Sequence, residues 1–229
     1  MKIVILPGLD GTGKMLSAFV EKLETSHSTK VMRYPTNEAL SYSELTDFVL
    51  NQLPTDEPYI IIAESFSGPV AVKLAMQTSN RLKGIIFAAS FLKNPTFIPK
   101  QFGALSKALP LKSSIALKLA RPFTFGKWTS KSLQLLLINA LKGVSHSVLA
   151  HRLKQVMAAD ELSAFSRLTL PMLYLRPTAD NLVSKSNALE MRAQNKYLAI
   201  KDVEGPHFIL QANAESCFKH ICLFINKVS

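Results

Sequence analysis

Cysteine is scarce in this chain: Cys217 and Cys222 are the only two among 229 residues. They stand five apart in one apolar, helix-like stretch, which turns them to different faces and places them poorly for a disulfide. Buried, reduced thiols are expected instead. Long hydrophobic runs are missing as well. The most apolar later stretches, residues 85–92 and 133–141, fall well short of the roughly 18 residues that span a bilayer. The first apolar run, Ile3-Val4-Ile5-Leu6, stops at Pro7-Gly8, too short for the core of a secretory signal and with no cleavage site behind it. An unprocessed, cytoplasmic chain without a transmembrane helix is the expectation. Charge is sparse, 19% of residues against 48% hydrophobic, and that balance excludes a disordered chain. The length suits one catalytic domain with room for an inserted lobe.

Acidic residues are the rarer sign, 16 against 27 Lys and Arg, for a net charge of +11. The imbalance is local. Residues 91–170 hold twelve basic side chains against Asp160 and Glu161, a net of +10, and the remainder is close to neutral. No motif interleaves aromatic with basic residues in the manner of nucleic-acid readers, so no nucleic-acid partner is expected.

Short runs rich in β-branched residues alternate with helical patterns, which predicts an α/β fold: a doubly wound, mostly parallel sheet covered by helices on both faces. Strands are expected near 2–6, 30–34, 58–63, 83–89, 171–176 and 196–203. Helices are expected near 14–25, 42–53, 69–78, 184–193 and 209–227. Ser41 followed by Glu44 forms a capping-box pattern ahead of the second helix. The alternation breaks between Phe91 and about Arg167, where Pro95, Pro99, Pro110 and Pro122 punctuate helical stretches. A structureless loop of that length does not suit a compact domain, so residues 91–167 are expected to form a helical cap, with 1–90 and 168–229 as the core.

The segment most informative about chemistry is Tyr59-Ile60-Ile61-Ile62-Ala63-Glu64-Ser65-Phe66-Ser67-Gly68-Pro69-Val70, an apolar strand that turns sharply into a helix. Such a turn sets Ser65 at the C-terminal end of a central strand, where open parallel sheets bind ligands. A nucleophile elbow needs small residues two before and two after the serine, because strand and helix approach closely there. Ala63 and Ser67 meet that steric demand although neither is glycine. Ser67 fits less well as nucleophile, since Pro69 would stand two ahead of it.

On these residues the chain resembles the α/β-hydrolase superfamily along nearly its whole length. The resemblance implies a serine hydrolase, and in part a carrier-linked methyl-ester carboxylesterase. Leu6-Pro7-Gly8-Leu9-Asp10-Gly11-Thr12-Gly13 is similar to the loop that supplies half of the oxyanion hole, which assigns that role to the backbone N–H groups of Leu9 and Phe66. Pro7 stands where the family usually has histidine. The same loop nearly matches a phosphate-binding P-loop, but Met15 supplies a thioether where magnesium requires a hydroxyl. By the order of the family, the acid and base follow the serine. Asp180, in the loop after the strand at 171–176, suits the orienting carboxylate, with helix capping as its alternative role. Asp202, five residues before the histidine, is the rival acid. His207 lies in the tight turn Glu204-Gly205-Pro206-His207-Phe208 just before the C-terminal helix. His27, His146, His151 and His220 lie elsewhere.

With no antiparallel hairpin ahead of residue 2, a trimmed sheet of about six parallel strands is expected. The implied activity is ester cleavage through an acyl-enzyme, with thioester hydrolysis, acyl transfer or ligand binding without catalysis as alternatives. It needs no metal or organic cofactor. The basic segment, Lys112, Lys118 and Arg121 above all, is expected to face outward around the site entrance. There it would draw in an acyl-carrier-linked substrate, an acidic carrier protein or an anionic membrane surface.

Overall fold

Runs such as Ile3-Val4-Ile5-Leu6 and Tyr59-Ile60-Ile61-Ile62-Ala63 are apolar at every position, which suits strands covered on both faces. In the computed structural model, which describes residues 1–78, 80–95 and 124–229, these two runs are neighbours in one sheet. Its strands are β1 (Lys2–Leu6), β2 (Thr29–Val31), β3 (Tyr59–Glu64), β4 (Leu82–Ala88), β5 (Met172–Pro177) and β6 (Leu198–Val203). Their order is β2-β1-β3-β4-β5-β6, and every pairing is parallel. The described helices are α1 (Ser17–Glu24), α2 (Tyr42–Leu50), α3 (Gly68–Gln77), α4 (Lys131–Lys142), α5 (His146–Ala158), α6 (Leu162–Ser166), α7 (Lys185–Gln194), α8 (Ile209–Ala212) and α9 (Ala214–Val228).

Alternate strand residues feed two separate cores. Ile3, Ile5, Ile60, Ile62 and Ile86 pack with Phe19 and Leu23 of α1 and Cys217, Ile221 and Phe224 of α9. Val4, Leu6, Ile61, Ala63 and Phe87 point the other way, against Leu45 and Val49 of α2, Val70 and Leu74 of α3, and Met191 of α7. Each fully buried aliphatic side chain contributes about 2 kcal/mol, and a one-residue slip would exchange the two sets, so the register is strongly specified. The chain runs from β1 outward to β2, then returns past β1 to β3. That reversal leaves a crevice at the C-terminal ends of β1 and β3, the position at which such sheets bind ligands.

Several element boundaries differ from the sequence expectation, among them the end of α2, which falls at Leu50 rather than 53. β2 ends at Val31, because the chain then leaves the sheet and the N–H of Tyr34 donates to the carbonyl of Gly11 at 2.8 Å. The first helix opens as a 3-10 turn at Lys14–Leu16 before α1. The C-terminal helix is broken at Asn213, whose backbone leaves the helical region and whose side chain caps α9 by accepting from the Ser216 N–H. Between β4 and β5 the described chain holds α4, α5, α6 and an isolated antiparallel bridge between Lys93 and Asp160. Ser130 and Ser145 cap α4 and α5 with their hydroxyls. Among the described residues no single helix is long and apolar enough to cross a membrane. Cys217 and Cys222 are both free thiols.

Candidate active site

β3 delivers the chain to Ser65 in a conformation that few side chains adopt, with φ at +46°. A non-glycine residue held there stores on the order of 1–3 kcal/mol, and it persists only where its surroundings over-determine it. Here they do so from three strands. The Ser90 hydroxyl, just beyond β4, donates to the Ser65 carbonyl at 2.6 Å, and the Tyr174 hydroxyl on β5 donates to the Ser90 carbonyl at 2.5 Å. From the β1 side, the Ser67 hydroxyl donates to the Pro7 carbonyl at 2.5 Å and lies 2.6 Å from the Tyr34 hydroxyl. Ser67 is fully buried by these bonds and cannot act as a nucleophile. The close approach of helix to strand falls at Gly68, one position beyond the site expected for the second small residue. A Cβ on Gly68 would sit 2.5 Å from the Phe91 carbonyl oxygen and collide with the Ser90 hydroxyl.

Three side chains from distant segments meet at this turn. Ser65 Oγ lies 2.8 Å from His207 Nε2, and His207 Nδ1 lies 2.9 Å from Asp180 Oδ2. The other carboxylate oxygen, Asp180 Oδ1, accepts the backbone N–H groups of Leu182 at 2.8 Å and Val183 at 2.9 Å. A loop turn and contact with the imidazole therefore coexist on one carboxylate, each using its own oxygen. The helix that follows has Ser184 at its N-cap, so Asp180 does not take the capping role. With the ring proton on Nδ1, directed at Asp180, Nε2 is free to accept the Ser65 proton. His207 is 5% exposed. Burial is the largest influence on the imidazole and acts to lower its pKa, but the charge and hydrogen bond of Asp180, joined by the charge of Glu64, leave it raised above 6.5.

The rival acid does not reach this cluster. Asp202 is bound by Arg176 through two hydrogen bonds, of 2.5 and 2.7 Å, and its side chain is 52% exposed. That guanidinium holds the Asp202 carboxyl below its ordinary pKa. Leu9 and Phe66, the expected oxyanion donors, lie on the two segments that flank the crevice, the loop after β1 and the 3-10 turn Ser65–Ser67. The loop after β1 is braced internally by Asp10, whose carboxylate accepts the N–H and the hydroxyl of Thr12.

Two residues that matter here escaped the sequence reading. Arg152 belongs to the basic segment expected to face outward, yet it is 2% exposed. Its guanidinium donates to the carbonyls of Leu9 at 2.9 Å, Asp10 at 2.7 Å and Pro35 at 2.9 Å, and it lies over the rings of Tyr34 and Phe66. Gly11, with φ at +68°, leaves the space that the guanidinium fills. The available signal was its place on the apolar stripe of Val148, Leu149 and Val156. Glu64 is the second, a buried carboxyl that ends an otherwise apolar strand. The remaining described basic residues of the segment, Lys93, Lys127, Lys131, Lys142, Lys154 and Arg167, are exposed as expected. Lys112, Lys118 and Arg121 lie outside the described residues.

No protein-family model matches the sequence, and no curated protein matches it. Solved structures do. A hydrolase from Oleispira antarctica superposes with a TM-score of 0.83 at 15% identity, covering 98% of this chain and 90% of the other. An enol-lactonase from Burkholderia xenovorans LB400 gives 0.84 at 13% identity over 98% and 91%, and an esterase from Exiguobacterium antarcticum gives 0.84 at 14% over 99% and 92%. The chain has the α/β-hydrolase fold. At these identities the likeness carries the fold alone, and any chemistry has to be argued from the site.

Proposed function

We propose that this protein is a serine hydrolase that cleaves a carboxylic ester. Ser65 is the nucleophile, His207 the general base and then general acid, and Asp180 the carboxylate that orients the ring and stabilises the imidazolium. The observation that carries the reading is the continuous hydrogen-bonded chain from Ser65 Oγ through His207 to Asp180 Oδ2, set on a strained turn at the crevice of the sheet. His207 takes the serine proton as Oγ attacks the ester carbonyl. The oxyanion that forms is bound by the N–H groups of Leu9 and Phe66. The protonated ring then donates to the departing alcohol, and water releases the acyl group by the same steps in reverse.

In this reading residues 91–167, of which 96–123 lie outside the described residues, make up a cap on a core of 1–90 and 168–229. An apolar cluster supports that: Phe125 of the inserted segment stacks on Phe208, the neighbour of His207, at 4.9 Å and packs with Met15 and Ala140. Phe208, the partly exposed one of these four, offers an apolar flank to the acyl part of a substrate.

Incubation with a fluorophosphonate probe followed by peptide mapping tests the assignment. Labelling is expected at Ser65, and Ser65→Ala is expected to abolish both labelling and cleavage of a short p-nitrophenyl ester, with a loss of several orders of magnitude. A Ser65→Ala protein that keeps half its activity would defeat the proposal, and an unlabelled, inactive wild type would favour a ligand-binding protein on the same fold.

A further inference from the structure

We propose that Glu64 is a positioning residue for this hydrolysis, its buried carboxyl strapping the loop after β1 to the segment that carries His207 so that oxyanion donor and base keep one geometry around Ser65. The inference rests on the hydrolase reading of the site.

Glu64 immediately precedes Ser65 and is 3% exposed. A carboxyl carried into the middle of a sheet is costly unless its oxygens are bonded. Both are. Oε2 accepts the Gly8 N–H at 3.0 Å, and Oε1 accepts from Gln211 Nε2 at 2.7 Å. Gly8 directly precedes Leu9, and Gln211 sits on α8, which starts two residues after His207. One carboxyl thus joins the three segments that bring the oxyanion donor, the nucleophile and the base together. The fit leaves little slack, since a Cβ on Gly8 would lie 3.2 Å from Oε2.

The strap holds in either protonation state. Burial pushes the Glu64 carboxyl up to about 7, against the opposing effect of the Gln211 hydrogen bond, with Asp10 raising it further and His207 and the Gly8 bond lowering it. The amide oxygen of Gln211 is buried without a partner. When Glu64 is protonated, a flipped Gln211 amide accepts its O–H, and Gly8 keeps its bond. The charged and titratable groups around this pair are Asp10 in the loop after β1, His207 with Asp180 beyond it, and Arg152, which meets Asp10 from α5. What protonation changes is charge. An ionised Glu64 favours the imidazolium of His207, and a neutral residue does not.

Two substitutions separate shape from charge. Glu64→Leu removes the strap, so kcat should fall about 10- to 100-fold with KM changed little, because the bonds act on the geometry of the transition state. Glu64→Gln can accept the Gly8 N–H and donate to the free Gln211 oxygen, and should recover most of that loss. Its charge is gone, so His207 should lose its proton at lower pH and the acidic limb of kcat/KM should move to lower pH.

The test measures kcat and KM on a short p-nitrophenyl ester from pH 5 to 9 for wild type, Glu64→Leu, Glu64→Gln and Gln211→Met, with fluorophosphonate labelling and thermal melting of each. Rescue by glutamine together with a shifted acidic limb supports the strap. A folded Glu64→Leu protein with wild-type kcat overturns it, as does a glutamine variant as impaired as leucine with its limb unmoved. If Glu64→Leu does not fold, Gln211→Met cuts the strap at its more accessible end, where a kcat drop of about threefold or more is expected and an unchanged kcat overturns the proposal. An unlabelled, inactive wild type would defeat the hydrolase reading and this inference with it, whereas an active wild type with unaffected variants defeats this inference alone.

Discussion

Asp180 and Asp202 are chemically equivalent and both lie near the C-terminal edge of the sheet, so what divides them is which groups surround each carboxylate. Asp180 has one oxygen fixed by two backbone N–H groups and the other on the imidazole. Asp202 spends both oxygens on Arg176 in a half-exposed pair, and pairs of that kind contribute at most about 1 kcal/mol. Asp180→Asn keeps the shape but gives up the charge that supports the imidazolium, so kcat on an ester should fall by about 10³–10⁴. Asp202→Asn should change it by less than about threefold. Steady-state kinetics of the two variants decides, and exchanged results would make Asp202 the orienting acid.

At the scale of elements, α5 matters because one of its side chains reaches the core. Helices usually dock through apolar stripes, and Val148 and Leu149 provide one here. Arg152 adds a fork of donors to the carbonyls of Leu9, Asp10 and Pro35, which links α5 to the loop after β1, where the proposed oxyanion donor lies. Arg152→Met preserves much of the buried stem but leaves three carbonyls without their charged donor, a loss of about 3 kcal/mol. A lysine cannot reproduce the planar fork and should restore only part of it. Reversible urea denaturation measures both variants. A loss below about 1 kcal/mol for Arg152→Met would show that α5 is held by its apolar stripe alone.

For the molecule as a whole, charge is unevenly placed: nearly the entire excess lies in residues 91–170. Lys93, Lys127, Lys131, Lys142, Lys154 and Arg167 are the exposed basic members of that segment among the described residues. An exposed basic field speeds the encounter with anionic partners, and salt weakens it. We propose an acidic acyl-carrier protein as the partner that this field attracts. Between about 20 and 300 mM salt the screening length shortens from roughly 20 to 6 Å. Over that range turnover of a carrier-linked ester should fall while that of a small neutral ester stays nearly flat. Reversing the exposed Lys131, Lys142 and Lys154 to Glu should reproduce the loss at low salt. An equal salt response of the two substrates would leave the basic segment without a part in capture.

Much of this was legible before any fold was known, because it is written in local spacing. Apolar runs such as Tyr59-Ile60-Ile61-Ile62-Ala63 require a strand buried on both faces, and the small residues around Ser65 permit a tight turn. Asp180 and His207 stand just beyond strand-like runs, at the sheet edge where ligands bind. What local spacing does not contain is partnership across the chain. The bonds from Ser65 to His207, Arg152 to Leu9 and Glu64 to Gln211 join residues 142, 143 and 147 positions apart. A charged side chain in an apolar pattern reads the same whether it turns to water or inward to a carbonyl. For Arg152 and Glu64 only the packed fold decides, since it supplies the backbone acceptors and donors that make burial of each tolerable. The sequence by itself determined the sheet, the turn and the residue types at its edge; the tertiary structure set Asp180 against the imidazole and Asp202 against Arg176, because only the packed fold brings a cation to one of them and a ring to the other.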